Sequence, residues 1–99
     1  MNKPSSRIKK RYISFEVLSE QKVFKDEIKS SIYNKALEIF GEAGLSNLGF
    51  QLVSDNIVRV DHNYKNEMIL ILSMIRKIKD KDVLINTLKT SGNLSKVKK

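Results

Sequence analysis

His62 is the only histidine in the chain, and it stands between Asp61 and Asn63. An imidazole beside a carboxylate is the pattern of a general base. The rest of a catalytic set does not accompany it. There is no cysteine, so thiolate nucleophiles, disulfides, iron–sulfur clusters and thiolate zinc sites are excluded. No Ser or His motif with nucleophile spacing occurs, the carboxylates are scattered, and no two ligands fall on one helix face at metal spacing. A glycine-rich phosphate loop is missing as well. Neighbouring residues on a strand point to opposite faces, so Asp61 and His62 do not converge if both lie on one. The spacing favours His62 as a structural or partner-facing residue at a strand end, and an enzyme built on His62 as the weaker reading.

The lysines and arginines carry a clearer chemistry. The formal net charge is +8 over 99 residues, and its distribution is uneven. Residues 1–11 hold Lys3, Arg7, Lys9, Lys10 and Arg11 with no acid, and residues 88–99 hold Lys89, Lys96, Lys98 and Lys99 with no acid. The segment between is close to neutral. Concentrated positive charge attracts a polyanion, most commonly nucleic acid, by releasing counterions from phosphates. Solubility is the bland alternative. An anionic membrane surface fits less well, because neither end has the apolar face of an interfacial helix. No apolar run is long enough to span a bilayer, and the basic N-terminus has no apolar stretch after it to make a signal peptide. The expected location is cytoplasmic.

The elements that must position these residues follow from periodicity. Arg11–Leu18 alternates, with Ile13, Phe15 and Val17 on one face and Tyr12, Ser14 and Glu16 on the other, which predicts a half-buried strand. Phe24, Ile28, Ile32, Ala36 and Phe40 predict a helix over Lys22–Phe40, with Gly41 as its C-cap and a loop to Asn47. Leu48–Val53 and Ile57–Asp61 predict a hairpin around Asp55–Asn56. Asn63 could cap a second helix carrying Tyr64, Met68, Ile71, Ile75 and Ile78, although Met68–Ile75 also reads as a buried strand. Asp80–Asp82 is expected to be a loop, and Val83–Thr90 a fourth strand of mixed alternation.

The order strand, helix, strand, strand, helix, strand predicts an α+β ferredoxin-like sandwich, with a four-stranded antiparallel sheet and two helices on one face. A basic arm over 1–10, a domain over 11–92 and a basic tail over 93–99 complete the plan. In that topology the first and fourth strands are antiparallel neighbours. Both basic ends therefore meet at one pole. Tyr12, on the outer face, could stack on a base. The third strand offers no aromatic, however, so recognition of folded RNA through its backbone fits better than single-strand reading. The second helix has apolar surface to spare, and Ile69, Leu70 and Leu72 are candidates to meet a protein partner.

Four segments in order carry a family resemblance. They are Arg11-Tyr12-Ile13-Ser14-Phe15-Glu16-Val17, Phe40-Gly41-Glu42-Ala43-Gly44-Leu45, Ile57-Val58-Arg59-Val60-Asp61-His62, and the closing Ser91-Gly92-Asn93-Leu94-Ser95-Lys96-Val97-Lys98-Lys99. From about Lys9 onward the chain resembles the archaeal ribonuclease P protein component 2 family. It departs at Asn93, where the family usually has Thr after the glycine. The resemblance implies a non-catalytic, RNA-binding subunit of the ribonucleoprotein that removes the 5′ leader from precursor tRNA. It implies ribonuclease P RNA and ribonuclease P protein component 3 as partners, magnesium held by the RNA, and no cofactor on the chain itself. Arg7, Lys9, Lys10, Arg11, Lys89, Lys96, Lys98 and Lys99 would contact phosphates. The competing reading is a ferredoxin-like regulatory module that binds a small ligand.

Overall fold

In the computed structural model the described residues are 9–97. Strand β1 (Lys10–Leu18) leads to helix α1 (Lys25–Leu48), then strands β2 (Gln51–Ser54) and β3 (Ile57–Asp61). A 3-10 turn over His62–Tyr64 precedes helix α2 (Lys65–Met74). Two short strands follow, β4 (Lys77–Ile78) and β5 (Lys81–Asp82), then β6 (Leu84–Ser91) and a 3-10 turn over Leu94–Lys96. The main sheet has the order β2-β3-β1-β6, with every pair antiparallel. This is the ferredoxin-like arrangement, with β6 in the place of the expected fourth strand.

The alternation in β1 explains the core. Ile13 and Phe15 point to one side of the sheet and meet Val58 and Val60 of β3, Ile28, Ile32 and Ala36 of α1, and Met68, Ile71 and Leu72 of α2. Removing each of these side chains other than that of Ala36 from water contributes roughly 1.5–3 kcal/mol. Ile28, Ile32 and Ala36 recur every four residues, so one stripe of α1 lies on the sheet.

The expected loop after Gly41 is helical instead. Gly41 has φ 74° and ψ −178°, which breaks α1 into two helical stretches without ending it. The second stretch persists because Leu45 and Leu48, three residues apart, give it an apolar side that reaches the core. The true C-cap is Gly49, with φ 55° and ψ 39°, in the left-handed region. β2 consequently starts at Gln51 rather than Leu48.

α2 stops at Met74, although its apolar period runs on to Ile78. Ile75 is extended (φ −80°, ψ 114°), yet Ile75 and Ile78 are both buried in the core. The period reported burial, and an extended segment meets that requirement as well as a helix does. Asn63 does not cap α2. Asp61 accepts a hydrogen bond from the Asn63 N–H (3.1 Å) and so opens the 3-10 turn.

The expected loop at Asp80–Asp82 is part of a hairpin: Lys81 and Asp82 form its second arm, with Lys77 paired to Asp82 and Ile78 to Lys81. Lys79 turns it with φ 60°. Lys81 ties this hairpin to α1. Its Nζ lies 2.9 Å from Glu27 Oε1 and donates to the Lys22 carbonyl at 2.7 Å. Glu27 also accepts the Phe24 N–H (3.0 Å) at the helix start. That backbone bond first, and then Lys81, holds the Glu27 carboxyl below its ordinary value.

Candidate nucleic-acid interface

β1 and β6 bring the start of the first strand beside the end of the last. Tyr12 is the register partner of Ser91, and Ser14 of Lys89. On the other side of β1, Tyr12 faces Arg59 and Lys10 faces Asp61. Arg59 in turn faces Gln51 of β2. A row Gln51, Arg59, Tyr12, Ser91 therefore crosses the sheet on the face away from the helices, flanked by Lys10 and Lys89.

A bulge puts Lys89 there. The register passes from Ser14–Lys89 to Phe15–Thr87, which leaves Leu88 as an extra residue in β6. Strict alternation would set Ile85, Thr87, Lys89 and Ser91 on one face. The extra residue reverses the parity, so Ile85 enters the core while Lys89 and Ser91 join the open face. Ser14 secures the bulge by accepting the Lys89 N–H (3.1 Å).

The other predicted cations take separate positions at the same pole. Arg11 shares the parity of Ile13, so it lies toward the helix side, beside Gly92. A Cβ at Gly92 would stand 2.6 Å from Arg11 Nη1, and the glycine thus makes room for the guanidinium. The Lys10 ammonium lies beside Gly49, at the end of α1, which has no basic residue in its last turn. It offsets the negative end of that helix dipole. Lys9 is exposed, and its carbonyl accepts the His62 N–H (2.9 Å). Lys96 is exposed on the last 3-10 turn, where Asn93 accepts the Ser95 N–H (3.0 Å), and Val97 beyond it is buried. Asn93 thus does the capping work that a threonine could do. Arg7, Lys98 and Lys99 lie outside the described residues.

Tyr12 is half-buried on the open face, and that face is not wholly bare. Ser14 and Ile57, register partners, are both buried, and Ile57 lies outside the helix-side core cluster. Arg59 is a site residue that the sequence analysis does not single out. It donates to the Gln51 side chain, while its Nε is buried and has no partner among the described residues. Its alternation was visible, but its position beside Tyr12 depended on the register.

His62 and Asp61 do not form a working pair. Their Nδ1 and Oδ1 are 3.6 Å apart, and Asp61 Oδ1 takes the Asn63 N–H instead. Among the described residues no cluster of three or more His, Cys, Asp or Glu could hold a metal ion, and no helix is long and apolar enough to cross a membrane. The apolar patch expected on α2 is smaller than predicted. Leu72 is fully buried in the core and cannot meet a partner, Ile69 is packed against that core, and only Leu70 is exposed.

The Rpp14/Pop5 family matches residues 11–99. The chain belongs to that family. Ribonuclease P protein component 2 of Pyrococcus furiosus is 34% identical over 102 residues, covering 97% of this chain and 85% of the relative. The protein of the same name from Pyrococcus horikoshii is 32% identical with the same coverage. A chain in the cryo-EM structure of yeast ribonuclease MRP shares the fold, with a TM-score of 0.70 at 14% identity over 90% of this chain and 78% of that one. In this Rpp14/Pop5 chain the matched segment contains the sheet from Arg11 onward, so it includes every paired residue of β1 and β6.

Proposed function

We propose that the chain is a protein subunit of ribonuclease P that binds the RNA of the particle through its basic pole and supports 5′-leader removal from precursor tRNA. Catalysis belongs to the ribonucleoprotein and not to the isolated chain. The observation that carries this reading is the β1–β6 register, which pairs Tyr12 with Ser91 and Ser14 with Lys89 and so brings the start of β1, with Lys10 and Arg11, to the same end of the sheet as the end of β6 and the turn bearing Lys96 that follows it. The names of the relatives support the assignment of particle. Lys9, Lys10, Arg11, Lys89 and Lys96 neutralise backbone phosphates, with Arg7, Lys98 and Lys99 adding charge from the flanking segments. Arg59 and Tyr12 offer a guanidinium and a ring beside them. Magnesium, bound by the RNA, would supply the activation of water and the stabilisation of charge at the scissile phosphate. The chain's part is to screen phosphate repulsion so that the RNA folds and keeps its ions. Ribonuclease P protein component 3 is the proposed protein partner, and the cytoplasm the proposed location.

The test is a titration of ribonuclease P RNA with the full chain between 50 and 200 mM salt. Each phosphate contact contributes about 0.7–0.9 to the slope of log affinity against log salt. The Arg11→Ala, Lys89→Ala double variant is expected to lower that slope by roughly 1.4–1.8. An unchanged slope and affinity would remove this pole from the interface.

A further inference from the structure

The basic pole leaves a second charged surface unexplained. A groove with a cavity of about 390 Å³ runs between α1 and the segment that joins α2 to β4. Lys35, Arg76, Lys77 and Lys79 line it against a single acid, Glu38. Glu38 pairs with Lys35 (3.2 Å), and Lys77 pairs with Asp82 (3.3 Å) outside the groove. Arg76 and Lys79 have no ion pair among the described residues. Met74 also lines the groove and is 45% exposed. Leu70, one turn earlier on α2, is exposed to the same degree. The two form a short apolar ridge beside the cations.

This surface is distant from the proposed RNA contacts. The hairpin that carries Lys77 and Lys79 shares a cavity with Leu18, the last residue of β1, while the basic pole is at the start of that strand. The eight steps along this nine-residue strand, at about 3.3 Å each, separate the two by roughly 26 Å.

Building on the subunit reading, we infer that this groove docks a protein segment that is amphipathic and acidic. Its carboxylates meet Arg76 and Lys79, and its apolar side chains cover Leu70 and Met74. Charge alone would suit a phosphate backbone equally well. The apolar ridge decides for protein, because a sugar–phosphate chain offers nothing to cover it, and exposed apolar residues edged by cations favour a complementary protein surface.

The experiment places a photo-cross-linking residue, p-benzoylphenylalanine, at position 74 of the full chain in the assembled ribonuclease P particle. A matched probe at position 12 reports separately on the basic pole. The expected result is a position-74 cross-link to protein, at a peptide in which Asp or Glu alternates with apolar residues. Its yield should fall about tenfold in an Arg76→Glu, Lys79→Glu background. Position 12 should cross-link to RNA in both backgrounds. A position-74 cross-link to RNA, to a peptide without acids, or to nothing would overturn the docking inference. Loss of the position-12 cross-link to RNA would instead count against the subunit's RNA contact.

Discussion

Replacing Gly41 by alanine tests how α1 is shaped. Gly41 has φ 74° and ψ −178°, a region that only glycine enters without strain. Forcing an L-residue there costs about 1–3 kcal/mol. Sterics add nothing, because a Cβ at this position meets no atom within 4 Å. Alanine recovers about 0.4–1 kcal/mol by restricting the unfolded chain. The net expectation is a loss of ~1–2 kcal/mol, which for a domain of this size lowers Tm by roughly 5–15 °C. Urea unfolding followed by far-UV circular dichroism measures it. Gly49 supplies the contrast. Its φ of 55° and ψ of 39° lie in the left-handed region that asparagine tolerates, so Gly49→Asn should cost little while Gly41→Asn costs as much as alanine. If Gly41→Ala matches or exceeds the parent in stability, the break in α1 is not set by this residue and the reasoning is wrong.

Other outcomes follow from single contacts. Glu27 titrates below its ordinary value of 4.5, so its clasp on Phe24 and Lys81 stabilises the fold at higher pH and is lost as pH falls through the lowered value. The stability difference between parent and Glu27→Gln, read from urea midpoints, should shrink below about pH 4.5; a difference constant down to pH 2 would refute the clasp. Leu72→Ala should destabilise by about 2–5 kcal/mol and Leu70→Ala by under 1, because only Leu72 is in the core; equal losses in thermal unfolding would contradict the burial pattern. Gly92→Ala should displace the Arg11 guanidinium and weaken RNA binding a few-fold, while stability changes by about 0.5 kcal/mol or less. Unaltered RNA affinity would separate Arg11 from the interface.

Much of this was legible in the residues. The alternation Ile13, Phe15, Val17 and the four-residue recurrence Ile28, Ile32, Ala36 fix which faces are buried, and the element order fixes the topology. Boundaries were harder wherever burial and backbone separate. Ile75 and Ile78 are core residues in an extended segment, so an apolar period alone overextended α2. Gly41 has the composition of a helix end but sits inside one, because Leu45 and Leu48 reward a further turn. The candidate site depended on a register detail. The extra residue Leu88 turns Lys89 to the open face, and the mixed alternation of that strand hinted at irregularity without locating it. Arg59 needed the same register to be seen beside Tyr12.

RNA is expected to meet the pole where the start of β1 and the end of β6 lie together. Lysine acetylation read by mass spectrometry, with the full chain alone and saturated with ribonuclease P RNA, tests this directly. Lys9, Lys10, Lys89 and Lys96 should become protected together, while Lys29, Lys35, Lys77 and Lys79 keep their reactivity. Protection of the helix-side lysines with the pole left reactive would contradict it.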